Sequence, residues 1–273
     1  MHFYKMQPAQ LNEIFEANKD AWNKRTGVHK DSKFYDVTSF KAGKTSLNKI
    51  DLDEVGDVKG KSLLHLQCHF GMDTISWARE GAIATGMDLS DGAINYAKQL
   101  SEEVDVPAEF VCCNLYDLKE HLDAKFDIIF TSYGVIGWLP DLNKWASIIA
   151  HFLKPGGSFH LMEFHPVVWM MDENLERVKY YYHNEEIISE ESTGTYTDRY
   201  ADIKYTEHSW NHSLSEVVNA LINHGLRIEH LNEFPYSYYN CFNNLVQGYD
   251  GNWRVNRLEN KIPMMYSIKA IRI

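Results

Sequence analysis

Between positions 47 and 164 the chain alternates short apolar runs with amphipathic stretches. Residues 62–66, 83–87, 109–113, 127–132 and 158–164 are apolar runs of strand length bounded by turn signals, the pattern of strands buried on both faces. Residues 73–79, 91–101 and 142–152 place apolar side chains at helical spacing, and each opens close to a capping-type residue, Asp73, Ser90 or Asp141. Strand and helix alternating in this way predicts a parallel sheet wound on both faces, with any ligand at the carboxyl edge of the strands.

The flanks follow other patterns. Leu11, Ile14, Phe15 and Trp22 recur at nearly helical spacing over 11–22, and 27–40 reads as a loop from which Phe34, Tyr35 and Phe40 project. Between 165 and 210 the alternation stops. That insertion holds ten acids (Glu185 among them) against four bases and is rich in Trp and Tyr. With Thr193-Gly194-Thr195 as a turn, it predicts an antiparallel hairpin or small cap above the fifth strand. A helix over 214–224 ends at Gly225, and strands over 226–234 and 264–271 complete the sheet.

Composition narrows the function. At 273 residues the chain suits one α/β domain carrying an insertion and an N-terminal extension. A net charge of −11 argues against an extended nucleic-acid surface. Met1 to Gln10 contain no apolar h-region and no run is long enough to span a bilayer, so a soluble cytoplasmic protein is expected, without a membrane partner. Cys68, Cys112, Cys113 and Cys241 lack the spacing of a metal or disulfide framework. His65 with His69 and His208 with His212 have i, i+4 spacing but no third ligand of the usual kind nearby, and no metal is expected.

The chemistry concentrates in two segments. Leu64-His65-Leu66-Gln67-Cys68-His69-Phe70-Gly71 takes a strand into a turn, and the next strand delivers Asp88 17 positions after Gly71. An acid at that place can accept hydrogen bonds from both hydroxyls of a ribose. A dinucleotide turn needs glycine at three places so that a diphosphate can approach bare backbone. Here the first two are Gln67 and His69, which disfavours a nicotinamide-dependent oxidoreductase, the alternative enzyme class. Both residues are expected to hold ordinary backbone angles, because a side chain reaches positive φ only at a cost.

With Asn114-Leu115 after the third strand, 126–132 as the fourth, and Leu153-Lys154-Pro155-Gly156-Gly157 turning into the fifth, the chain resembles the class I S-adenosylmethionine-dependent methyltransferases from about residue 47 to its end. The resemblance implies a doubly wound, Rossmann-like sheet of seven strands, mostly parallel with a reversed last strand, plus a cap insertion at about 165–210. It implies that 1–46 is a helical lid over the cofactor, with Tyr35 and Phe40 as its working aromatics. His65 departs from the pattern, standing where the family commonly has an acid. The implied cofactor contacts are Leu66, Gln67, Cys68, His69 and Gly71, then Asp88, Leu89 and Ser90, then Asn114 and Leu115, then Thr131, Ser132 and Tyr133.

The expected reaction is in-line methyl transfer to a small-molecule acceptor by a monomer or homodimer. Retention of the fold for cofactor binding without turnover is the non-enzyme alternative. A sulfonium methyl is already electrophilic, so the protein must mainly align it and exclude water, and a base is needed only if the acceptor loses a proton. His165, just past the fifth strand, is the first candidate base, followed by Glu163 and His212, with Tyr133 as a donor or pocket wall.

Overall fold

The structure is a computed structural model that describes residues 7–184 and 186–273; Met1 to Met6 and Glu185 lie outside the described residues. Five strands, β1 (Ser62–Leu66), β2 (Ile83–Asp88), β3 (Glu109–Cys112), β4 (Phe126–Ser132) and β5 (Leu153–Phe164), alternate with α4 (Met72–Arg79), α5 (Asp91–Glu103), α6 (Leu118–His121) and α7 (Leu142–Phe152). The sheet is completed by β8 (Leu226–Phe234) and β11 (Met265–Arg272) in the order β3-β2-β1-β4-β5-β11-β8. All neighbours are parallel except β11, which runs against both β5 and β8. This is the expected seven-stranded sheet with a reversed last strand.

Alternation along β1 sets the two layers. Leu64 and Leu66 join Trp145 and Ile149 of α7 and Leu221 of α9 (Leu214–Asn223), while Leu63 joins Trp77 of α4 in a separate cluster. Successive side chains of a strand point to opposite faces, so each face of the sheet carries its own buried layer. Two of the expected caps hold: Ser90 accepts from the Ala93 amide at 3.0 Å and Asp141 from the Lys144 amide at 3.0 Å. Asp73 does not cap α4, whose N-cap is Gly71.

The flanks differ most from expectation. The first helix, α1, runs Pro8–His29, through Gly27, and a short α2 (Val37–Lys41) begins where a loop was expected; α3 (Lys49–Val55) follows it. The buried stripe of α1 is Ile14, Asn18, Ala21, Arg25 and His29, helically spaced but mostly polar, so an apolar-pattern reading stops early. In the insertion, α8 (Pro166–Trp169) leads to β6 (Ile188–Thr193) and β7 (Lys204–Ser209), which pair antiparallel from Ile188↔Ser209 to Thr193↔Lys204. Thr193-Gly194-Thr195 is not a tight hairpin turn. It opens the loop 194–203, closed at its base by the Gly194 amide on the Ile203 carbonyl at 3.1 Å. A two-stranded ribbon, β9 (Leu245–Gln247) with β10 (Trp253–Val255), lies in the connection before β11. Among the described residues no helix is long and apolar enough to cross a membrane.

Candidate active site

The turn after β1 takes a glycine-like path without the glycines. Gln67 has φ 54°, His69 φ 49° and Gly71 φ 78°, which overturns the expectation of ordinary angles at the first two. Hydrogen bonds over-determine this geometry: the Cys68 amide donates to the Met87 carbonyl at 2.9 Å, the His69 amide to Asp88 Oδ2 at 2.8 Å, and the Gly71 amide to the Cys68 carbonyl at 2.9 Å. Each left-handed non-glycine residue costs about 1–3 kcal/mol. Space explains where glycine is kept. A Cβ on Gly71 would sit 2.6 Å from the Phe110 ring and 2.9 Å from Ala97 Cβ, whereas the side chains of Gln67 and His69 line a cavity.

That cavity, of about 1480 Å3, lies at the carboxyl edge of the sheet. A single-ligand pocket occupies roughly 300–1,000 Å3, so there is room for a cofactor and an acceptor together. Among the described residues, five of the eight non-glycine residues with positive φ line it: Asp36, Gln67, His69, Tyr133 and Leu175. Backbone strain of this kind gathers at binding sites, where surrounding structure holds it in place.

On the β2–β3 side, Asp88 ends β2 and accepts from the His69 amide and, through Oδ1, from the Ser90 amide at 2.9 Å. Each carboxylate oxygen keeps a lone pair for a ligand hydroxyl. Burial raises the pKa of this acid, with the backbone donors opposing the shift. Leu89, Asn114 and Leu115 line the same end, with Asn114 Oδ1 fixing the turn by accepting from the Tyr116 amide at 3.0 Å.

The β4 side holds two acids that sequence reasoning did not single out as site residues. Asp73 accepts from Ser46 Oγ at 2.6 Å and Ser132 Oγ at 3.2 Å. Because Ser132 spends its proton on Asp73, its oxygen accepts from His65 Nε2 at 3.2 Å, and His65 Nδ1 then accepts from Thr74 Oγ1 at 2.9 Å. Burial pushes His65 down to about 3, so the ring is a neutral strut. Asp51, on α3, accepts from Tyr133 Oη at 2.9 Å and from the Asn48 amide at 2.7 Å. Burial first, and the charge of Asp73 second, push it up to about 7. Tyr133 itself has φ 28° and also accepts from Asn48 Nδ2 at 3.2 Å. A signal for Asp73 was present in the chain: an acid two residues past Gly71 whose cap role was taken by the glycine.

The roof is made by α1, the 30–36 segment and the insertion. Arg25 donates through Nε to Tyr205 Oη at 3.2 Å and through Nη2 to Glu207, and its guanidinium lies 4.9 Å from the Trp22 ring and 5.3 Å from that of Trp138. His29 bridges His69 Nε2 at 3.0 Å and Thr195 Oγ1 at 2.6 Å. Burial lowers the pKa of both imidazoles, that of His29 to about 3, so the pair is neutral. Tyr35 Oη lies 2.5 Å from Tyr196 Oη.

Most expected cofactor contacts converge on the cavity: Gln67, Cys68, His69, Gly71, Asp88, Leu89, Asn114, Leu115, Ser132, Tyr133, Tyr35 and Phe40 line it. Phe40 does not project from a loop, since it is buried in α2 beneath the Arg79 guanidinium at 4.2 Å. Leu66 and Thr131 are wholly buried in the sheet, and Ser90 is buried as a cap that donates to Asn23 Oδ1 of α1 at 2.6 Å.

The expected bases do not reach the cavity. His165 accepts from the Val167 amide at 3.1 Å and places Nε2 2.8 Å from Glu233, and His212 Nε2 contacts the Leu139 carbonyl at 2.7 Å. Glu163 is buried, receiving the amides of Gly134 at 2.5 Å, Val135 at 2.8 Å, Ile136 at 3.0 Å and Phe164 at 2.6 Å. Its carboxylate shapes the loop after β4 and has no room to take a proton from an acceptor.

A methyltransferase-domain family model matches residues 64–161, the stretch that carries the turn, Asp88 and β4. Over that stretch the chain is similar to methyltransferase domains. Over 100 residues it is 32% identical to a ubiquinone biosynthesis O-methyltransferase of Coxiella burnetii, covering 37% of this chain and 42% of that one. An uncharacterized methyltransferase of Synechocystis is 28% identical over 130 residues, 47% of this chain and 59% of the relative. The chain thus spans about half the length of the curated relatives it matches. Solved structures share the fold: an S-adenosylmethionine-dependent methyltransferase of Clostridium acetobutylicum with TM-score 0.57 at 14% identity, over 92% of this chain and 99% of that one, and one of Mesorhizobium loti with TM-score 0.54 at 20% identity, over 82% and 96%.

S-adenosylmethionine, the cofactor of the methyltransferases that this chain resembles, fits the cavity on two observations. Asp88 is held open towards the cavity at the tip of β2, and the buried acceptor Gln67 Oε1 is without a partner in the same cavity.

Proposed function

We propose that the protein transfers a methyl group from S-adenosylmethionine to a small-molecule acceptor enclosed under the roof. The observation that carries this reading is Asp88 beside a turn whose two glycine places bear side chains. A sugar can hydrogen-bond to that carboxylate, but a diphosphate would meet Gln67 and His69 where it needs bare backbone. When bound, the cofactor supplies an electrophilic methyl on a neutral leaving group. The chain's part is then to hold the sugar on Asp88, seat the adenine against Leu89 and Leu115, orient the acceptor and keep water out. For an acceptor that loses a proton, the groups that line the cavity to accept it are neutral His69 and Tyr133, whose hydroxyl is backed by the buried Asp51.

The net charge of −11 supports a small acceptor in preference to nucleic acid. A cytoplasmic setting belongs to the same proposal, supported by four unpaired cysteines, which persist as thiols in a reducing compartment.

Thermal unfolding with S-adenosylmethionine, S-adenosylhomocysteine and NADH tests the reading. The two adenosyl ligands should raise the Tm and NADH should not, since a ligand at 100 times its Kd stabilises by about 2.7 kcal/mol. Stabilisation by NADH alone, or by none of the three, would overturn it. A screen reading S-adenosylhomocysteine released from candidate acceptors then identifies the substrate.

A further inference from the structure

The order β3-β2-β1-β4 fixes the direction in which an adenosyl ligand must lie. With its sugar at the tip of β2 and its base beside β3, the rest of the molecule extends across the end of β1 towards β4. That is where Asp73 stands, tied to Ser132 at the end of β4 and to Ser46. We propose that Asp73 is the anchor for the α-ammonium group of the cofactor's methionyl tail. The inference rests on the function proposed above and deepens it.

Three observations carry it. Asp73 lines the cavity, and its hydrogen-bond donors are neutral hydroxyls. Among the described residues no basic side chain is paired with it: Lys44 turns to Asp36, and Arg79 donates to the carbonyls of Phe40 and Lys44. An enclosed carboxylate without a cation is costly, and a cationic ligand group removes the cost. Gln67 supplies an independent second acceptor. Its amide nitrogen is spent on the Val135 carbonyl at 3.0 Å, just past β4, which leaves Oε1 buried and without a donor. An ammonium has three donors and no acceptor, so it suits a carboxylate beside an amide oxygen. His65 is neutral, with both ring nitrogens engaged by Thr74 and Ser132, and offers no charge.

Isothermal titration with three ligands isolates the amine. S-adenosylhomocysteine carries it, the desamino analogue lacks only it, and 5′-methylthioadenosine lacks the whole amino-acid tail. The unmodified protein should prefer S-adenosylhomocysteine to the desamino analogue by about tenfold to hundredfold, the worth of a charge-assisted contact. Asp73→Asn should weaken S-adenosylhomocysteine by the same factor and leave the other two unchanged, so that the preference disappears; bound 5′-methylthioadenosine shows that the variant is folded. An undiminished preference in Asp73→Asn overturns the proposal. If the variant does not fold, equal affinity of the unmodified protein for the amine and desamino ligands overturns it, and a tenfold preference supports it. Failure of all three ligands to bind the unmodified protein would instead overturn the methyltransferase function.

Discussion

On the floor of the cavity, residues that touch are close in sequence or sit at the ends of adjacent strands: Gln67 to Gly71 form one turn, His69 in that turn after β1 meets Asp88 at the end of neighbouring β2, and Glu163 ties β5 to the loop after β4. In the roof the polar ties run between the first 35 residues and the insertion. Asn18 meets His208, Arg25 meets Tyr205 and Glu207, His29 meets Thr195, and Tyr35 meets Tyr196, at separations of 161 to 190 positions. The floor is therefore specified by local pattern and strand register, whereas the roof is specified by individual pairs. Damage to the floor should lower the stability of the whole domain. Damage to the roof should be felt mainly where α1 meets the insertion.

The largest expected effect comes from the floor. Glu163→Ala removes one carboxylate that satisfies four backbone amides and leaves those donors in a buried site. Each orphaned donor costs about 1–3 kcal/mol, so a loss of about 4 kcal/mol or more is expected in urea unfolding even with some water entry. A loss below about 1 kcal/mol would show that the loop after β4 does not depend on Glu163.

This contrast explains what could be read in advance. The strands, α4, α5, α7 and α9 were legible because apolar spacing and turn residues act over a few positions, and Asp88 was legible because it ends a strand. The extension of α1 to His29 was not, since its buried stripe is largely polar and finds its partners in the insertion. Gln67 and His69 misled in a different way. Their side chains argued for ordinary angles, but the strand-to-helix turn and its hydrogen bonds impose positive φ whichever residue is present, and only Gly71 lacks room for a Cβ. Position just past a strand says nothing of partners: His165 is turned to Glu233, while Asp73 reaches the cavity from a helix and Asp51 lies buried behind Tyr133.

Asp51 sharpens the comparison, because it marks where the floor carries electrostatic stress that the roof has neutralised. Its folded pKa is raised from 3.8 to about 7, by burial and then by Asp73. Between those values the folded chain holds a proton that the unfolded chain has lost, so stability falls as pH rises from about 4 to about 7 and this contribution levels off above. Asp51→Asn should flatten that part of the profile. Relative to the unmodified protein, it should gain on the order of 2–4 kcal/mol across the window, discounted for the altered hydrogen bonds to Tyr133 and Asn48. Urea midpoints at several pH values test this; parallel profiles for the two proteins would mean that Asp51 ionises normally in the fold.

The roof offers the smaller effect and the cleaner separation. Arg25 is buried, is bonded to Glu207 and Tyr205, and lies against the Trp22 and Trp138 rings. Arg25→Met keeps much of the packing against those rings but leaves Glu207, whose other oxygen is held by Ser192 at 2.7 Å, without its cation. A loss of about 2 kcal/mol is expected, less than for a fully enclosed pair because Glu207 retains some access to solvent. Adding Glu207→Gln removes the unpaired charge and should restore about half of it, which a roof held by packing alone would not show. Hydrogen exchange locates the effect: in Arg25→Met, protection should fall in α1, β6 and β7 and persist in β1, β2 and β4. Uniform loss of protection across both regions would mean that roof and floor unfold as one unit, and that the pairs linking the N-terminal segment to the insertion stabilise the sheet beneath them.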